Sequence, residues 1–401
     1  MGLESEFLEK LTPSAIRDIT ASIREKKSQG IDVTNFAGGM PDSRYFPEEE
    51  LKKITEDIFS QGDGELFQYA ATDGYEPLRE ALAGLMERYG VKTSAREILI
   101  TSGSAQALNY LGRALLREGS VVACEKPVYV GAVDTLKSYG AELVGISMEE
   151  DGMNLEELER VLKARKVSFI YTIPDFQNPT GCSLSAEKRE KLARLARRYD
   201  TYIVEDSPYS LLSFRGTIAP AVKSFDEDGR ILFLGSVSKT ICPGLRVGWV
   251  CGDQESIRKL IYLKQRDDLQ VNNLAQRQVF EYLMHGGFDE HVREVCKVYQ
   301  GRLECMTAAV RRYFPKESRY VVPAGGIFLW IELGGNIVSK ELFPYMLAHR
   351  IAFVPGTYFY PDGAGESTMR LNFCTNDEQV IFEKVKEMGQ VIQEFLNERK
   401  R

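Results

Sequence analysis

The sequence predicts an α/β protein: a mostly parallel sheet of seven strands with helices on both faces, followed by a smaller α+β domain. Short apolar runs alternate regularly with helical patterns from residue 96 onward, as in open α/β sheets. Beyond Asp253 the pattern becomes strongly helical, and short strand patterns return only after that helical stretch. A length of 401 residues is also enough for two packed regions.

The N-terminal part of the chain precedes this regular alternation. Residues 1–30 carry isoleucines at helical spacing and end at a glycine. A glycine-rich break covers 35–42, where Gly38 and Gly39 permit close approach of the backbone to a ligand, although a plain turn is the alternative. The segment 66–79 then leads into another helix.

The seven strands of the large sheet are short apolar runs separated by helical patterns. They are predicted at 98–101, 121–124, 142–146, 169–172, 202–205, 231–235 and 247–251. Helices are predicted at 104–116, 128–139, 154–165, 185–199, 255–266, 274–284 and 288–314. The smaller domain is predicted to contain strands at 320–322, 326–333, 351–354 and 369–373, with helices at 339–349 and 377–398.

These elements divide the chain into three parts. We expect an N-terminal helical arm or lid at 1–30, a large domain at 31–300 and a small α+β domain at 301–401. Within the large domain, residues 31–60 could instead pack with the small one.

Composition narrows the classes of protein. Hydrophobic and charged contents of 43% and 27% are those of an ordinary globular protein. No apolar run approaches the roughly 20 residues of a membrane helix, and the acidic first residues lack a signal-peptide core, so we expect a cytoplasmic protein without a membrane partner. A net charge of -7 argues against a nucleic-acid partner.

Cysteine and histidine usage excludes several kinds of site. The seven cysteines are scattered and form no Cys-x-x-Cys pair, so neither structural zinc nor a disulfide framework is expected, and we predict no metal site. None of the three histidines lies near an obvious nucleophile in the sequence. A lysine is therefore the candidate base.

The candidate lysine lies just past a predicted buried strand. Lys239 follows the strand 231–235, together with Ser236 and Ser238, and Arg246 comes seven residues later. A lone lysine in a turn is usually a solvated loop residue. Here two hydroxyls, an amine and a guanidinium instead meet at the carboxyl edge of a parallel sheet, where ligands bind in such folds.

Other predicted strands also end in polar residues. The strand 98–101 leads into Ser104, Ala105 and Gln106 at the start of a helix, a site suited to a phosphate, although a simple helix cap is the alternative. Asn178 lies in a proline-bounded loop after the fourth strand, which could be a bare turn.

An acid and a phenol follow the fifth predicted strand. Asp206 and Tyr209 lie three residues apart just beyond its end. A carboxylate buried at that position would be costly without a cationic partner, so we expect one.

These segments together resemble a known family. Ser-x-Ser-Lys followed by Pro-Gly-Leu-Arg-x-Gly-Trp, at 236–249, resembles the cofactor-lysine segment of fold-type I pyridoxal 5'-phosphate (PLP) enzymes, the aspartate aminotransferase superfamily. From about 35 to 375 the order and spacing resemble class I/II aminotransferases. The motifs Phe-Ala-Gly-Gly-Met-Pro, Phe-Gln-Asn-Pro-Thr-Gly and Met-Arg-Leu-Asn-Phe are most similar to the branch of 2-aminoadipate and kynurenine aminotransferases.

The resemblance implies roles around the PLP ring. Lys239 would hold PLP as a Schiff base and move the proton between the substrate α-carbon and C4' of the cofactor. Asp206 would keep the pyridine nitrogen protonated, and Tyr209 and Asn178 would bind the phenolic oxygen. Tyr129 would stack on the ring.

The resemblance also implies roles in binding the phosphate and the substrate. The phosphate would be held by Ser104, the backbone at Ala105, Gln106, Ser236, Ser238 and Arg246. The substrate α-carboxylate would be held by Arg370, helped by Asn178 and the backbone of Gly38 and Gly39. Tyr69 would reach the phosphate of a neighbouring subunit, which implies a homodimer with shared active sites. Arg17 would contact the substrate side chain, with a surface-helix arginine as the alternative.

The function that follows is PLP-dependent transamination by a ping-pong route. The donor would be an L-amino acid, namely 2-aminoadipate or an aromatic, branched or glutamate-like one, and the acceptor a 2-oxo acid such as 2-oxoglutarate. A PLP-dependent β-lyase of sulfur amino acids is the alternative enzyme. A non-catalytic PLP-binding regulator is the least favoured, because the helix before Gly30 is too short for a winged-helix module.

Overall fold

A computed structural model describes residues 15–334 and 337–399 of the chain. Residues 1–14 of the predicted N-terminal arm lie outside this part. The large sheet in it has eight strands, and we number strands in chain order. Its members are β2 (Ile98–Thr101), β3 (Val121–Lys126), β4 (Glu142–Glu149), β5 (Gly152–Met153), β6 (Val167–Thr172), β7 (Tyr202–Asp206), β8 (Ile231–Ser236) and β9 (Gly248–Cys251).

The sheet is mostly parallel, as predicted. Its spatial order is β2-β9-β8-β7-β6-β3-β4-β5. Strands β4, β3, β6, β7 and β8 run parallel to one another, whereas β9 pairs antiparallel with both β8 and β2, and β5 pairs antiparallel with β4. All seven predicted strands are confirmed. The eighth, β5, was not predicted because its two residues are too short for a hydrophobic period to register.

Helices cover the sheet and continue past it. The α-helices of the described part are Ala15–Ser28, Glu48–Ser60, Glu76–Glu87, Ser104–Leu115, Val130–Ser138, Leu155–Ala164, Ala186–Arg198, Gln254–Lys264, Asn273–His285, Phe288–Tyr313, Ser339–Ala348 and Glu378–Glu398. Several begin at a side-chain cap, which satisfies otherwise unpaired N–H groups. Asn154, Ser185 and Asp253 each accept such bonds from the first turn of the helix that follows.

Two small sheets lie outside the large one. Strands β10 (Phe328–Glu332), β13 (Thr368–Asn372) and β12 (Val354–Pro355) form an antiparallel sheet. Strands β1 (Thr34–Asn35) and β11 (Ile351–Ala352) pair in parallel, so the segment after the first helix is tied to the C-terminal part of the chain. The division into three domains stays a prediction.

One predicted strand of the small domain is wrong. Residues 320–322 are not a strand, and only Arg319, just before them, bridges to Glu332. Val321 and Val322 are 43% and 52% exposed, so their apolar character does not place them in a sheet. Pro323 follows directly and has no N–H to donate to a ladder.

Buried side chains fill both faces of the large sheet. The larger apolar cluster extends from the sheet to the C-terminal helices, and a smaller one lies beneath the helices Leu155–Ala164 and Ala186–Arg198. No helix in residues 15–334 and 337–399 is long and apolar enough to cross a membrane.

Candidate active site

The cavity of interest lies where the parallel strands end. Its volume is about 340 Å³. Polar side chains from β7, β8 and several loops share it with a few apolar ones. It is lined by Gly39, Met40, Ser104, Ala105, Tyr129, Ile173, Asn178, Asp206, Pro208, Tyr209, Ser236, Ser238, Lys239, Pro243, Arg246 and Arg370.

Strand register explains why these residues meet. In the parallel pair β7–β8, Asp206 is aligned with Leu234, and both strands end within two residues of that pair. The chain leaving β8 therefore passes close to the end of β7, and Lys239 comes three residues after β8 ends. This is the sheet edge at which α/β folds bind ligands.

Lys239 has an amine that burial makes unusually easy to deprotonate. Its Nζ donates to the carbonyl oxygen of Gly39 at 2.6 Å. The pKa of Lys239 is lowered to about 8, mainly by burial and in part by repulsion from the guanidinium groups of Arg370 and Arg246. Cys374 and Asp206 oppose this shift. A neutral amine, which can act as nucleophile or base, is therefore accessible near neutral pH.

Asp206 is a buried carboxylate with one open oxygen. Oδ2 accepts a hydrogen bond from the phenol of Tyr171 at 2.8 Å, while Oδ1 is buried and has no hydrogen-bond partner. Burial raises the pKa of Asp206 to about 6, although Tyr171 and the charge of Lys239 lower it. An unpaired buried acceptor is costly, so this oxygen suits a ligand that brings a donor.

Tyr209 and Asn178 form a second polar pair in the cavity. Asn178 Nδ2 lies 3.4 Å from Tyr209 Oη, to which it donates. Both side chains are buried, and burial raises the pKa of the Tyr209 phenol above its ordinary value. Tyr209 also packs edge-on against Phe328, which restricts its ring. The pair therefore offers a fixed phenol and amide to a ligand oxygen.

Arg370 is a buried guanidinium whose charge is not balanced by an ion pair with any described residue. Its Nη1 donates to Asn178 Oδ1 at 2.8 Å and its Nη2 to the carbonyl oxygen of Ala37 at 2.7 Å. The Nε–H is buried without a partner. Burial lowers the pKa of Arg370 to about 10. A buried cation with spare donors favours binding of an anion.

Two aromatic rings fix the guanidinium of Arg370. Its Cζ lies 4.0 Å from the ring centroid of Phe328 and 4.9 Å from that of Phe359. The quadrupole of each ring attracts the cation, which offsets part of the cost of burying it. Arg370 is thus held in place before a ligand arrives.

A cluster of hydroxyl and guanidinium donors lies beside Lys239. Ser236 Oγ and Ser238 Oγ are hydrogen-bonded at 2.8 Å, and Arg246 Nη1 donates to Ser238 Oγ at 3.4 Å. Arg246 Nη2 donates to the carbonyl oxygen of Ser102 at 2.9 Å. Gly103 has a φ of 77°, and a Cβ there would lie 2.5 Å from Arg246 Nη2, so only glycine allows this approach.

The helix Ser104–Leu115 begins at the same cluster, but Gln106 points elsewhere. Ser104 and Ala105 line the cavity in its first turn, where unpaired N–H groups favour an anion. The side chain of Gln106 does not line it: Nε2 donates to Asp268 at 2.8 Å, and Oε1 accepts from the backbone N–H of Ser102. The role of Gln106 in binding a phosphate stays a prediction, and its side chain is already hydrogen-bonded outside the cavity.

Two further predicted site residues lie outside the cavity. Arg17 is exposed on the helix Ala15–Ser28 and is not a lining residue. Tyr69 is 80% exposed and is not among the residues that line the cavity of its own chain. Gly39, in contrast, lines the cavity and accepts the bond from Lys239.

Several residues at the site were not predicted. Met40 and Ile173 line the cavity, and Tyr171 supports Asp206 from behind. Met40 lies within the glycine-rich motif, whose proximity to the cavity could have indicated it. Tyr171 lies in an apolar strand pattern that gives no sign of a polar contact.

Comparison with known proteins identifies what the chain is similar to. The family model for class I and II aminotransferases matches residues 31–383. The aromatic-amino-acid aminotransferase 1 of Thermococcus litoralis is 36% identical, over 98% of this chain and 95% of its own.

Two solved structures share the fold over 98% of both chains. A Pyrococcus horikoshii kynurenine aminotransferase, crystallised with pyridoxamine phosphate, kynurenine and kynurenic acid, superimposes with a TM-score of 0.93 at 34% identity. The α-aminoadipate aminotransferase of Thermus thermophilus, complexed with N-(5'-phosphopyridoxyl)-L-leucine, gives a TM-score of 0.90 at 34% identity.

The half-buried amine of Lys239 should destabilise the PLP-free protein. An amine whose pKa is lowered by folding destabilises the fold below its folded pKa, about 8, and this penalty disappears above its ordinary value of 10.5. We expect Lys239→Met to raise the free energy of unfolding at pH 7 by about 2 kcal/mol, and by much less near pH 11.

Urea denaturation of the PLP-free protein at both pH values measures this difference. Lys259→Met serves as the control, because that lysine is 66% exposed and should show no such pH dependence. An equal effect of Lys239→Met at both pH values would contradict the shifted pKa.

Proposed function

Because this chain belongs to the class I and II aminotransferase family, we propose that its central cavity transfers the amino group of aromatic and other apolar L-amino acids to a 2-oxo acid. The chain is a PLP-dependent transaminase, and its cofactor is PLP. One observation supports the assignment of the site: three groups line the same cavity. They are the amine of Lys239 with its lowered pKa, the carboxylate of Asp206 with one oxygen that has no hydrogen-bond partner, and the guanidinium of Arg370.

The residues of the cavity fit PLP group by group. The open Oδ1 of Asp206 suits a protonated pyridine nitrogen, and the amine of Lys239 suits the aldehyde. Tyr209 and Asn178 suit the phenolic oxygen. The hydroxyl and guanidinium cluster beside Lys239, with the first turn of the helix Ser104–Leu115, suits the phosphate, and Tyr129 suits the ring face.

The proposed chemistry follows from these positions. PLP supplies, when bound, a conjugated ring that delocalises negative charge arising at the substrate α-carbon. Lys239 Nζ would bind PLP covalently and would take and return the α-proton, because its amine is neutral near pH 8. Asp206 would hold the ring nitrogen protonated through an ion pair, which also relieves the cost of its own burial.

We assign substrate orientation to Arg370. Its guanidinium would bind the α-carboxylate, since it is buried, cationic and fixed between two phenyl rings. Asn178 Oδ1 accepts from it and so keeps the guanidinium in the orientation in which its remaining donors are free. Gly39 would contribute its backbone beside the substrate.

The charges that remain favour an apolar substrate side chain. The cations that line the cavity in the described part of the chain are Lys239, Arg246 and Arg370, and each already has a proposed anionic or covalent partner. The lining also contains Met40 and Ile173, which suit apolar or aromatic groups. Among the described lining residues no cation is left for a second carboxylate, so an acidic donor would need a cation from elsewhere, such as Arg17, to move into the cavity.

A donor screen with pyruvate, a 2-oxo acid without a second carboxylate, as acceptor tests this function. We expect kcat/KM for phenylalanine or kynurenine to exceed that for 2-aminoadipate by roughly tenfold or more, because an unpaired carboxylate in the cavity is costly. Lys239→Ala should abolish turnover and covalent attachment of PLP, as judged by borohydride reduction and peptide mass.

Two results would change the assignment. A preference for 2-aminoadipate that is lost in Arg17→Ala would give Arg17 the role of recognising an acidic side chain. Release of pyruvate and ammonia from a sulfur amino acid without any 2-oxo acid would favour the β-lyase.

Replacement of Arg370 should separate substrate binding from cofactor binding. We expect Arg370→Ala to raise KM for the amino donor about 100-fold, because a bidentate charge-assisted contact is lost, while the absorption spectrum of bound PLP is kept. Arg370→Lys keeps a positive charge but loses the bidentate contact, so its KM for the amino donor should lie between those of the wild type and Arg370→Ala. A fall in kcat at unchanged KM would argue against carboxylate binding.

We also propose that the enzyme is a homodimer with shared sites. Phe67 and Tyr69, which are separated by one residue, are 77% and 80% exposed, an unusual exposure for two aromatic side chains so close together. Asn273 fixes that segment by donating to the carbonyl oxygens of Leu66 and Gln68, and Gln270 accepts from its backbone. A second copy of the chain would cover the rings and receive Tyr69 at its phosphate site.

Hybrid dimers test this arrangement. In a hybrid of a Tyr69→Ala chain and a Lys239→Ala chain, one site has both natural residues, so activity at limiting PLP should recover to about half of the wild-type value. Each homodimer of the variants should remain weak. Failure of the hybrid to exceed the variants would show that Tyr69 does not act across subunits.

A further inference from the structure

Tyr171 is a buried phenol at the end of β6 that the proposed mechanism does not use. In the parallel pair β6–β7, Tyr171 is aligned with Val204, and Asp206 follows two residues later. Side chains two apart on a strand share a face, so the phenol and the carboxylate lie on the same side of the sheet. The resulting bond, Tyr171 Oη to Asp206 Oδ2, is 2.8 Å long.

This bond makes the two oxygens of Asp206 unequal. Oδ2 is occupied from behind by the phenol, and Oδ1 is buried without a hydrogen-bond partner in a carboxylate that lines the cavity. If Tyr171 only filled the core, any hydrogen-bond acceptor would satisfy its hydroxyl. Tyr171 instead donates to Asp206, the carboxylate among the described residues that line the cavity, and it binds only one of the two carboxylate oxygens.

The charges around Asp206 give the phenol an electrostatic part as well. The negative charge of Asp206 raises the pKa of the buried Glu125, and burial disfavours the ionised form of Asp206 itself. Lys239 opposes this, but its support is lost whenever its amine is neutral. The other phenols nearby, Tyr129 and Tyr209, have no hydrogen bond to the carboxylate among the described contacts. The bond from Tyr171 favours the ionised form in every state of Lys239.

We propose that Tyr171 is a positioning residue for the cofactor: its phenol binds one oxygen of Asp206, keeps the carboxylate ionised and leaves the other oxygen for the protonated pyridine nitrogen of PLP. This inference rests on the proposed role of Asp206. In this arrangement Tyr171, on β6, would support the ring nitrogen indirectly, through Asp206, without itself contacting PLP.

Tyr171→Phe in the holoenzyme tests the inference, because it removes the hydroxyl and keeps the ring. With PLP labelled with ¹⁵N in the pyridine ring, we expect the ¹⁵N resonance to move toward that of neutral pyridine, since the proton shifts to a more basic carboxylate. The dissociation constant of PLP should rise about tenfold. Tyr199→Phe is the matched control, because its phenol also donates to a carboxylate, that of Glu159, but neither residue lines the cavity. This variant should change neither value.

A double-mutant cycle with Asp206→Ala separates positioning from packing. In the Asp206→Ala background, Tyr171→Phe should change PLP affinity by less than twofold. The same loss in both backgrounds, or an unchanged ¹⁵N resonance in the single variant, would overturn the inference. If Asp206→Ala itself left the resonance and affinity unchanged, the proposed role of Asp206 would fail instead.

A second variant covers the case in which Tyr171→Phe does not fold. Site-specific 3,5-difluorotyrosine at position 171 keeps the ring and hydroxyl and makes the phenol a stronger donor. The ¹⁵N resonance should then move further toward protonated pyridine. Movement in the other direction, or none, would also count against the inference.

Discussion

The parallel pairing of β6, β7 and β8 is the constraint on which the site depends. Parallel strands present their carboxyl ends at one edge, and each chain must leave the sheet there through a loop. Asp206 ends β7, and Lys239 follows β8 by three residues. The strand pairing therefore brings this carboxylate and this amine into one cavity although they are distant in the sequence. A shift of one residue in the register would turn Asp206 to the opposite face of the sheet.

The cavity that results has more positive than negative charge. Among the described residues that line it, Lys239, Arg246 and Arg370 are accompanied by one carboxylate, that of Asp206. Burial lowers the pKa of both Lys239 and Arg370, which is the expected response of cations held close together away from water. A phosphate and a carboxylate relieve this imbalance when they bind. The cavity therefore has an electrostatic preference for ligands that bring two anionic groups.

The sequence was sufficient to predict most strands and helices and the polar residues that follow the strands. The apolar runs and the helical periods predicted the seven strands, and Lys239, Asp206 and Arg370 follow or lie in such runs. Side-chain direction was harder to predict. Gln106 is in the expected helix, but its amide binds Asp268, 162 residues later, and no local pattern contains that partner.

Local sequence patterns also do not reveal the contacts that hold the loops of the site in place, because those contacts join residues that are distant in the sequence. Asn178 and Tyr209 lie on different loops, and their 3.4 Å contact requires that both loops be fixed. The loop of Asn178 is anchored by Gln177, whose amide donates to the buried carboxylate of Glu125 at 3.0 Å.

The loop of Tyr209 is tied to the same segment by a buried ion pair. Arg189 Nη2 lies 2.6 Å from Asp175 Oδ1, and the other oxygen of Asp175 accepts from Ser210 at 2.7 Å. Ser210 adjoins Tyr209, and Asp175 lies three residues before Asn178. Breaking such a pair leaves an uncompensated buried charge, at a cost of about 3–5 kcal/mol, so the two loops cannot drift apart cheaply. The precision of the site is thus set by polar groups that never touch the ligand.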